Sequence, residues 1–267
     1  MNAIRLYGRY VATSIRAQMQ YPGSVVATSL CSFVSTLTDF VGIWALFARF
    51  RQVEGWQFGE VALLYGVIST AFAFADALTR GFDVLGPLFV KTGDFDRLLV
   101  RPRSTVLQLL GYELRVTRAG RLAQGLLAWG LGVHMTNLAW SPTAWATLLF
   151  ATLGGIALFS GILVLQATLA FWTVESLEIA NTLTYGGVEA GQYPLDIYAR
   201  WFRSFLTFVV PLGCVSYFPV AAVLGHADRT GLPDWLLRLT PALGFAFLGV
   251  ALVVWQLGVR HYTSTGS

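Results

Sequence analysis

The sequence predicts an all-α polytopic membrane protein: six transmembrane helices, an N-terminal amphipathic interfacial helix and a long polar loop between spans two and three. Three observations predict it. First, only 12% of the 267 residues are charged while 55% are hydrophobic, and the mean hydropathy is +0.62. Soluble domains carry about 25% charge. So few charges cannot coat a soluble globule of this size, but they can cover the two ends of a bundle whose flanks face lipid. Second, six apolar stretches approach the roughly 20 residues that a helix needs to cross about 30 Å of hydrocarbon. Third, the basic residues gather in alternate loops.

Residues 1–22 come first. Ile4, Tyr7, Val11 and Ile15 recur at helical spacing, with Arg5, Arg9 and Arg16 off that stripe. This is the pattern of a helix lying in the membrane interface. Tyr21-Pro22-Gly23 separates it from the first span, although a polar extension of that span is the alternative. The first twenty residues show no continuous apolar core and no small-residue cleavage site, so no cleaved signal peptide is expected.

Residues 23–267 read as one transmembrane domain. Its spans run from about Ser24 to Ala48, Phe58 to Leu78, Val116 to Met135, Thr143 to Val174, Phe205 to Leu224, and Pro241 to Val259. The fourth is long enough to tilt. The fifth contains Pro211 and Pro219. Gly154, Gly155 and Gly161 in span four would let a neighbouring helix pack closely.

Of 18 basic residues, 17 are Arg and one is Lys91. With six spans, 14 of them fall on the side of the termini and four (Arg49, Arg51, Arg229 and Arg238) on the other. The positive-inside rule then places both termini in the cytoplasm. The basic balance therefore reports topology rather than nucleic-acid binding.

Familiar catalytic chemistry is missing from the pattern. There is no HExxH and no nucleophile elbow. Cys31 and Cys214 lie in apolar stretches as free thiols, and His134, His226 and His261 sit near span ends. The nearest approach to a phosphate-binding loop is Gly86-Pro-Leu-Phe-Val-Lys91-Thr92. It lacks the glycine before the lysine, and Lys91 is the only lysine.

Charges near the spans are few. Asp39 lies mid-span, where a carboxylate costs about 3 kcal/mol. It either faces a polar cavity or partner, or is protonated or bonded to Ser35, Thr36 or Thr38. Asp76 and Arg80 are spaced for a local i,i+4 pair. Arg118 and Arg121 either pair with Glu113 or acids of the preceding loop, or snorkel to the interface. Glu175 and Glu178 read as a solvated helix end or as a face toward a cytoplasmic partner.

The loop at 79–121 is the longest polar stretch. Phe82, Leu85 and Phe89 form one stripe, and Gly93 breaks it. Asp94 is placed to cap a two-turn helix starting at Phe95, with Asp96 and Arg101 complementing its dipole and Pro102 ending it. Phe95, Leu98 and Leu99 would then be free for docking, or else would pack on the bundle itself.

The run Gly93-Asp-Phe-Asp-Arg-Leu-Leu-Val-Arg-Pro102 resembles a hallmark of ABC-2-type transporter permeases, in the six-span branch with a "GDLDRLLLRP"-like loop. Gln192-Tyr193-Pro194, Val210-Pro211-Leu212 and Ser216-Tyr217-Phe218-Pro219 resemble the same branch more weakly. The likeness implies the membrane subunit of an ATP-driven exporter in the bacterial inner membrane, dimerised with an identical or related permease. It implies two ABC ATPase subunits as partners, with ATP and Mg bound there and no cofactor on this chain. By position, Asp94, Phe95, Asp96, Arg97, Leu98, Leu99, Arg101 and Pro102 would form the coupling helix; Phe95 stands where leucine is commoner. Spans one, two and five would line the path, with Phe33, Asp39, Phe72 and Phe74 as candidates. Residues from Val210 to Gly225 would include a short re-entrant helix. An ATPase-independent secondary transporter or channel is the alternative; a membrane-embedded enzyme would need a polar constellation that is not seen.

Overall fold

The computed structural model describes residues 3–173 and 177–263. Glu175 and the side chains of Ile4 and Glu178 lie outside the described residues. The described residues are mostly helical. In order, the helices are α1 (Ala3–Gln18), α2 (Pro22–Phe50), α3 (Phe58–Leu78), α4 (Arg80–Asp83), α5 (Phe95–Leu99), α6 (Thr105–Leu110), α7 (Ala119–Met135) and α8 (Pro142–Leu169). Then follow α9 (Leu177–Gly191), α10 (Arg200–Ser204), α11 (Leu212–Val215), α12 (Tyr217–Leu224), α13 (Asp234–Leu239) and α14 (Ala242–His261). A two-stranded hairpin, β1 (Gln52–Val53) with β2 (Trp56–Gln57), joins α2 to α3.

Helix α3 occupies the centre, packed against α7 and α8, and α8 also packs on α14. Small residues allow the approach. A Cβ on Gly66 would strike the Trp129 backbone, and one on Gly132 would strike Leu63, so α3 and α7 meet backbone to backbone. Gly154 and Gly244 play the same part where α8 crosses α14. The start of α3 is fixed by a capping box: the Gln57 backbone N–H donates to Glu60 at 2.8 Å. That of α8 is fixed by the Ser141 hydroxyl, which accepts from the Ala144 N–H.

The bundle has two ends. At the hairpin end lie Trp56, the start of α3 and the end of α7. At the loop end, α1 rests on the segment before α7: the Leu114 N–H donates to Ser14 and the Val116 N–H to Gln18. Arg5, Arg9 and Arg16 remain exposed on α1. Tyr262, beyond α14, packs on Phe95 at this same end. Both terminal helices therefore reach one side.

Among the described residues, four helices are long and apolar enough to cross a membrane (α2, α3, α8, and α13 with α14), or five if a bent pair counts as one. The six-stretch expectation changes in two places. Helix α7 has 17 residues behind a short 3-10 turn at Val116–Arg118. The stretch from Phe205 to Leu224 is no continuous span. A π-helical turn at Phe205–Val209 ends at Val210-Pro211, and the chain turns by 70° between Arg200–Val209 and Leu212–Leu224. Proline lacks the N–H that would carry the helix through.

Contacts show where this bent pair goes. At its start, Arg203 donates to the Asp196 carbonyl, and Asp196 accepts from Trp56 at the hairpin end. At its finish, His226 lies 3.4 Å from Glu60, also at the hairpin end. Its apex, Leu212, reaches Gly187 and Gly191 of α9. The pair thus enters and leaves at one end. The chain segment that travels between the ends is 177–196, from Thr184 on Gln166 of α8, past Gly191 on Ile68, to Asp196 on Trp56. Arg200 and Arg203 therefore sit at the hairpin end, opposite to the expectation from sequence. Moving them turns the 14-to-4 split into 12-to-6, with the same sign.

Candidate functional site: a loop-end surface and a polar cavity

The loop helix is the first element. Gly93 takes a φ of +74°, a left-handed turn that favours glycine and lets α5 fold back. Helix α5 is shorter than the two turns expected, at five residues. Asp94 does not cap it: its carboxylate accepts from Thr92 at 3.2 Å and pairs with Arg97 at 3.0 Å.

The docking face expected of Phe95 and Leu98 is corrected here. Phe95 is 0% exposed and Leu98 8%. The Phe95 ring lies 5.1 Å from Phe171, 6.3 Å from Trp255 and 4.9 Å from Tyr262. The apolar face is spent on the bundle, because the loop end has its own core, with Phe82, Leu85 and Leu109 in it. Leu99 at 43% and Val100 at 82% face outward. Asp94, Arg97 and Arg101 border a groove of about 500 Å³ that runs to Tyr10 of α1 and Tyr112. Arg101 and Pro102 follow the helix on the exposed side, and Asp96 is partly buried.

Behind the loop stands a cluster of charges. Asp76, buried at the end of α3, has Arg118 at 2.7 Å, Arg115 at 3.6 Å and Arg121 at 3.9 Å. It does not pair with Arg80, as the i,i+4 spacing suggested. Arg80 turns instead to Asp83 and to Glu113, the latter at 3.9 Å. Arg115 also reaches Asp83 at 3.7 Å. Burial, then the Arg80 and Arg118 charges, pull the Arg115 guanidinium below its usual range, against Asp76 and Asp83. The sequence hid this cluster because its partners lie about forty positions apart.

Arg121 links the cluster to the second element. Its guanidinium lies 5.2 Å above the Phe72 ring. Both line a cavity of about 280 Å³ between α2, α3 and α9. Asp39 and Glu189 line it too, with Tyr65, Ser69, Gln192 and Tyr193 among the rest of the wall. Thr36 and Thr38 donate to carbonyls of their own helix and leave Asp39 alone. Of the four pathway candidates, Asp39 and Phe72 meet here, whereas Phe33 and Phe74 are not in the wall. Phe33 packs where α2 meets Gly120, and Phe74 is exposed on the outside of α3. Glu189 was missed: with α9 not recognised as running between the two ends, nothing pointed to it. Among the described residues, no group of His, Cys, Asp and Glu could hold a metal.

A family model described as "ABC-2 family transporter protein" matches residues 33–266. The chain belongs to the ABC-2 transporter family. The match spans every helix from within α2 to the end of α14, including the GDFDRLLVRP loop. No curated protein and no solved structure matches this ABC-2 chain. Members of the family are transmembrane components that are generally non-catalytic, and they typically work with ABC ATPases.

Proposed function

We propose that this ABC-2 chain is the permease subunit of an ATP-driven exporter in a bacterial inner membrane. It crosses six times, through α2, α3, α7, α8, α9 with its extension to residue 196, and α14, with both termini in the cytoplasm. Helices α10 to α12 form a re-entrant element on the outer side, its broken backbone sheltered by protein. ATP and Mg are bound and turned over on two partner ATPases.

The observation that carries this reading is the loop surface built on a buried anchor. Phe95 ties α5 to Phe171, Trp255 and Tyr262, while Leu99, Val100 and Arg101 present outward. A push on that surface moves α5 together with the ends of α8 and α14, because packed interiors shift as blocks. The Asp76–arginine cluster then joins the loop to the cavity through Arg121. A second permease has a place to sit: Val26, Leu30, Val34, Val41 and Trp44 are exposed on α2 at helical spacing.

The test is a tagged pull-down in mild detergent from the native host, read by mass spectrometry. An ABC ATPase that co-purifies, and is lost on Leu99→Asp with Val100→Asp, supports the permease. One specific feature favours the second reading, an ATPase-independent secondary transporter: Asp39 and Glu189 at the cavity, which suit ion coupling. Purification without any ATPase across several detergents would favour it.

A further inference from the structure

We infer that the cavity between α2, α3 and α9 binds a monovalent organic cation that carries an aromatic or other apolar group. The inference deepens the proposed permease reading by naming a cargo class, and rests on it for transport but not for binding.

The wall holds two carboxylates, Asp39 and Glu189, and one cation, Arg121. Among the described residues, neither carboxylate has an ion-pair or side-chain hydrogen-bond partner. Arg121 also faces Asp76 at 3.9 Å and lies 5.2 Å above the Phe72 ring, but Asp76 is shared with Arg115 and Arg118, so the wall counts two negative charges against one positive. The cavity is thus left with uncompensated negative charge.

That charge sits where it is expensive. Tyr65, on the same wall, donates to the Thr36 carbonyl within α2, and Asp39 lies one turn further along that helix. Unpaired carboxylates at membrane depth need water or a counter-charge. Within the chain, α3, α8 and α9 carry no lysine or arginine, and those of α2, α7 and α14 (Arg49, Arg121 and Arg260) stand near helix ends. The counter-charge is supplied by a ligand.

The rest of the wall says what kind. Tyr65, Tyr185 and Tyr193 line the wall as rings for a cation and its apolar substituent, while the Phe72 ring already carries Arg121. Gln192 is 9% exposed, gives its amide N–H to Ser69 at 3.4 Å, and leaves its side-chain carbonyl with no described donor. A bare metal ion would want more oxygen ligands than two carboxylates and an amide among rings. An anion would meet the carboxylates. A quaternary or protonated amine with a ring matches both the net single negative charge and the aromatic faces.

The test uses the purified full chain in nanodiscs, without any ATPase. Benzyltrimethylammonium is titrated calorimetrically, against phenylmethanesulfonate as an aromatic ion of opposite charge. Saturable binding of the ammonium alone is expected, weakened about tenfold or more by Asp39→Asn with Glu189→Gln. Should that variant not fold, Val188→Cys in the otherwise unaltered chain replaces it, with alkylation of residue 188 slowed by the ammonium and not by the sulfonate. Equal binding of both ions, no saturable binding, or an unaffected carboxylate variant would overturn the inference. Cation binding with no ATPase in the pull-down removes the permease reading and leaves the site. An ATPase in the pull-down with no cation binding does the reverse.

Discussion

The ring of Phe95 meets that of Tyr262 at 4.9 Å, nearly edge to face. One residue belongs to the most polar loop of the chain and the other to its C-terminal end. The contact turns what sequence presents as a docking helix into a fixed part of the bundle. Its inner face is structural, and its outer face is what a partner can reach.

Different substitutions in α5 should therefore have different effects. Phe95→Ala removes a fully buried ring and should cost about 3–5 kcal/mol of stability, seen as a lower melting temperature in detergent. Leu99→Asp with Val100→Asp should leave melting within about 0.5 kcal/mol of the parent and abolish ATPase association. A Phe95→Ala chain that melts normally would contradict the buried anchor.

Asp76 compensates three guanidinium groups. Asp76→Ala strands Arg118 and Arg121 and leaves Arg115 with Asp83 alone, and loss of one partner from a buried pair costs about 3–5 kcal/mol. Combining it with Arg118→Met should recover part of that loss, because the closest unpaired charge, at 2.7 Å in the parent, is then gone. Thermal melts of the two variants check this; no recovery would mean that the pair is not coupled.

At the other end, Asp196 accepts from Trp56 Nε1 at 3.0 Å and from the Tyr217 hydroxyl at 2.8 Å. It holds α12 against the hairpin. Asp196→Ala removes the shared acceptor of both bonds and should lower stability by about 2–4 kcal/mol. Hydrogen exchange should rise in residues 210–224 before it rises in α3. Uniform exchange across both would remove the clasp.

Topology gives an independent check. Cysteines at Arg200 and Asp228 should both react with impermeant thiol reagents in intact cells, and one at Gly93 should not. Sequence alone expected position 200 to be protected. Protection there would return the bent pair to the role of a membrane span.

Several features were legible in the residues. The bounds of α3 follow from an apolar run between Gln57 and Thr79, and the break at Gly93 from a single residue that tolerates a positive φ. Others depended on tertiary partners. The 177–196 segment carries Asn181, Thr184 and Glu189, so a hydropathy window passes it over. Part of it faces a polar cavity rather than lipid. The stretch from 211 to 222 is apolar because protein surrounds it, while Phe208 and Val209 before it stay exposed, and hydropathy cannot tell protein from lipid. Asp76 looked local because Arg80 was the nearest cation in sequence. Asp39 was legible as costly, and its cavity became visible only with Glu189 beside it.

The central claim is that the outward face of α5 meets an ATPase. The most direct measurement is disulfide or short bifunctional cross-linking from Val100→Cys in native membranes, with Asp228→Cys as the control at the opposite end. The expected result is a cross-linked product from position 100 containing an ABC ATPase, and none from position 228. An ATPase that co-purifies with the chain yet never cross-links to position 100, while cross-linking elsewhere, would contradict it.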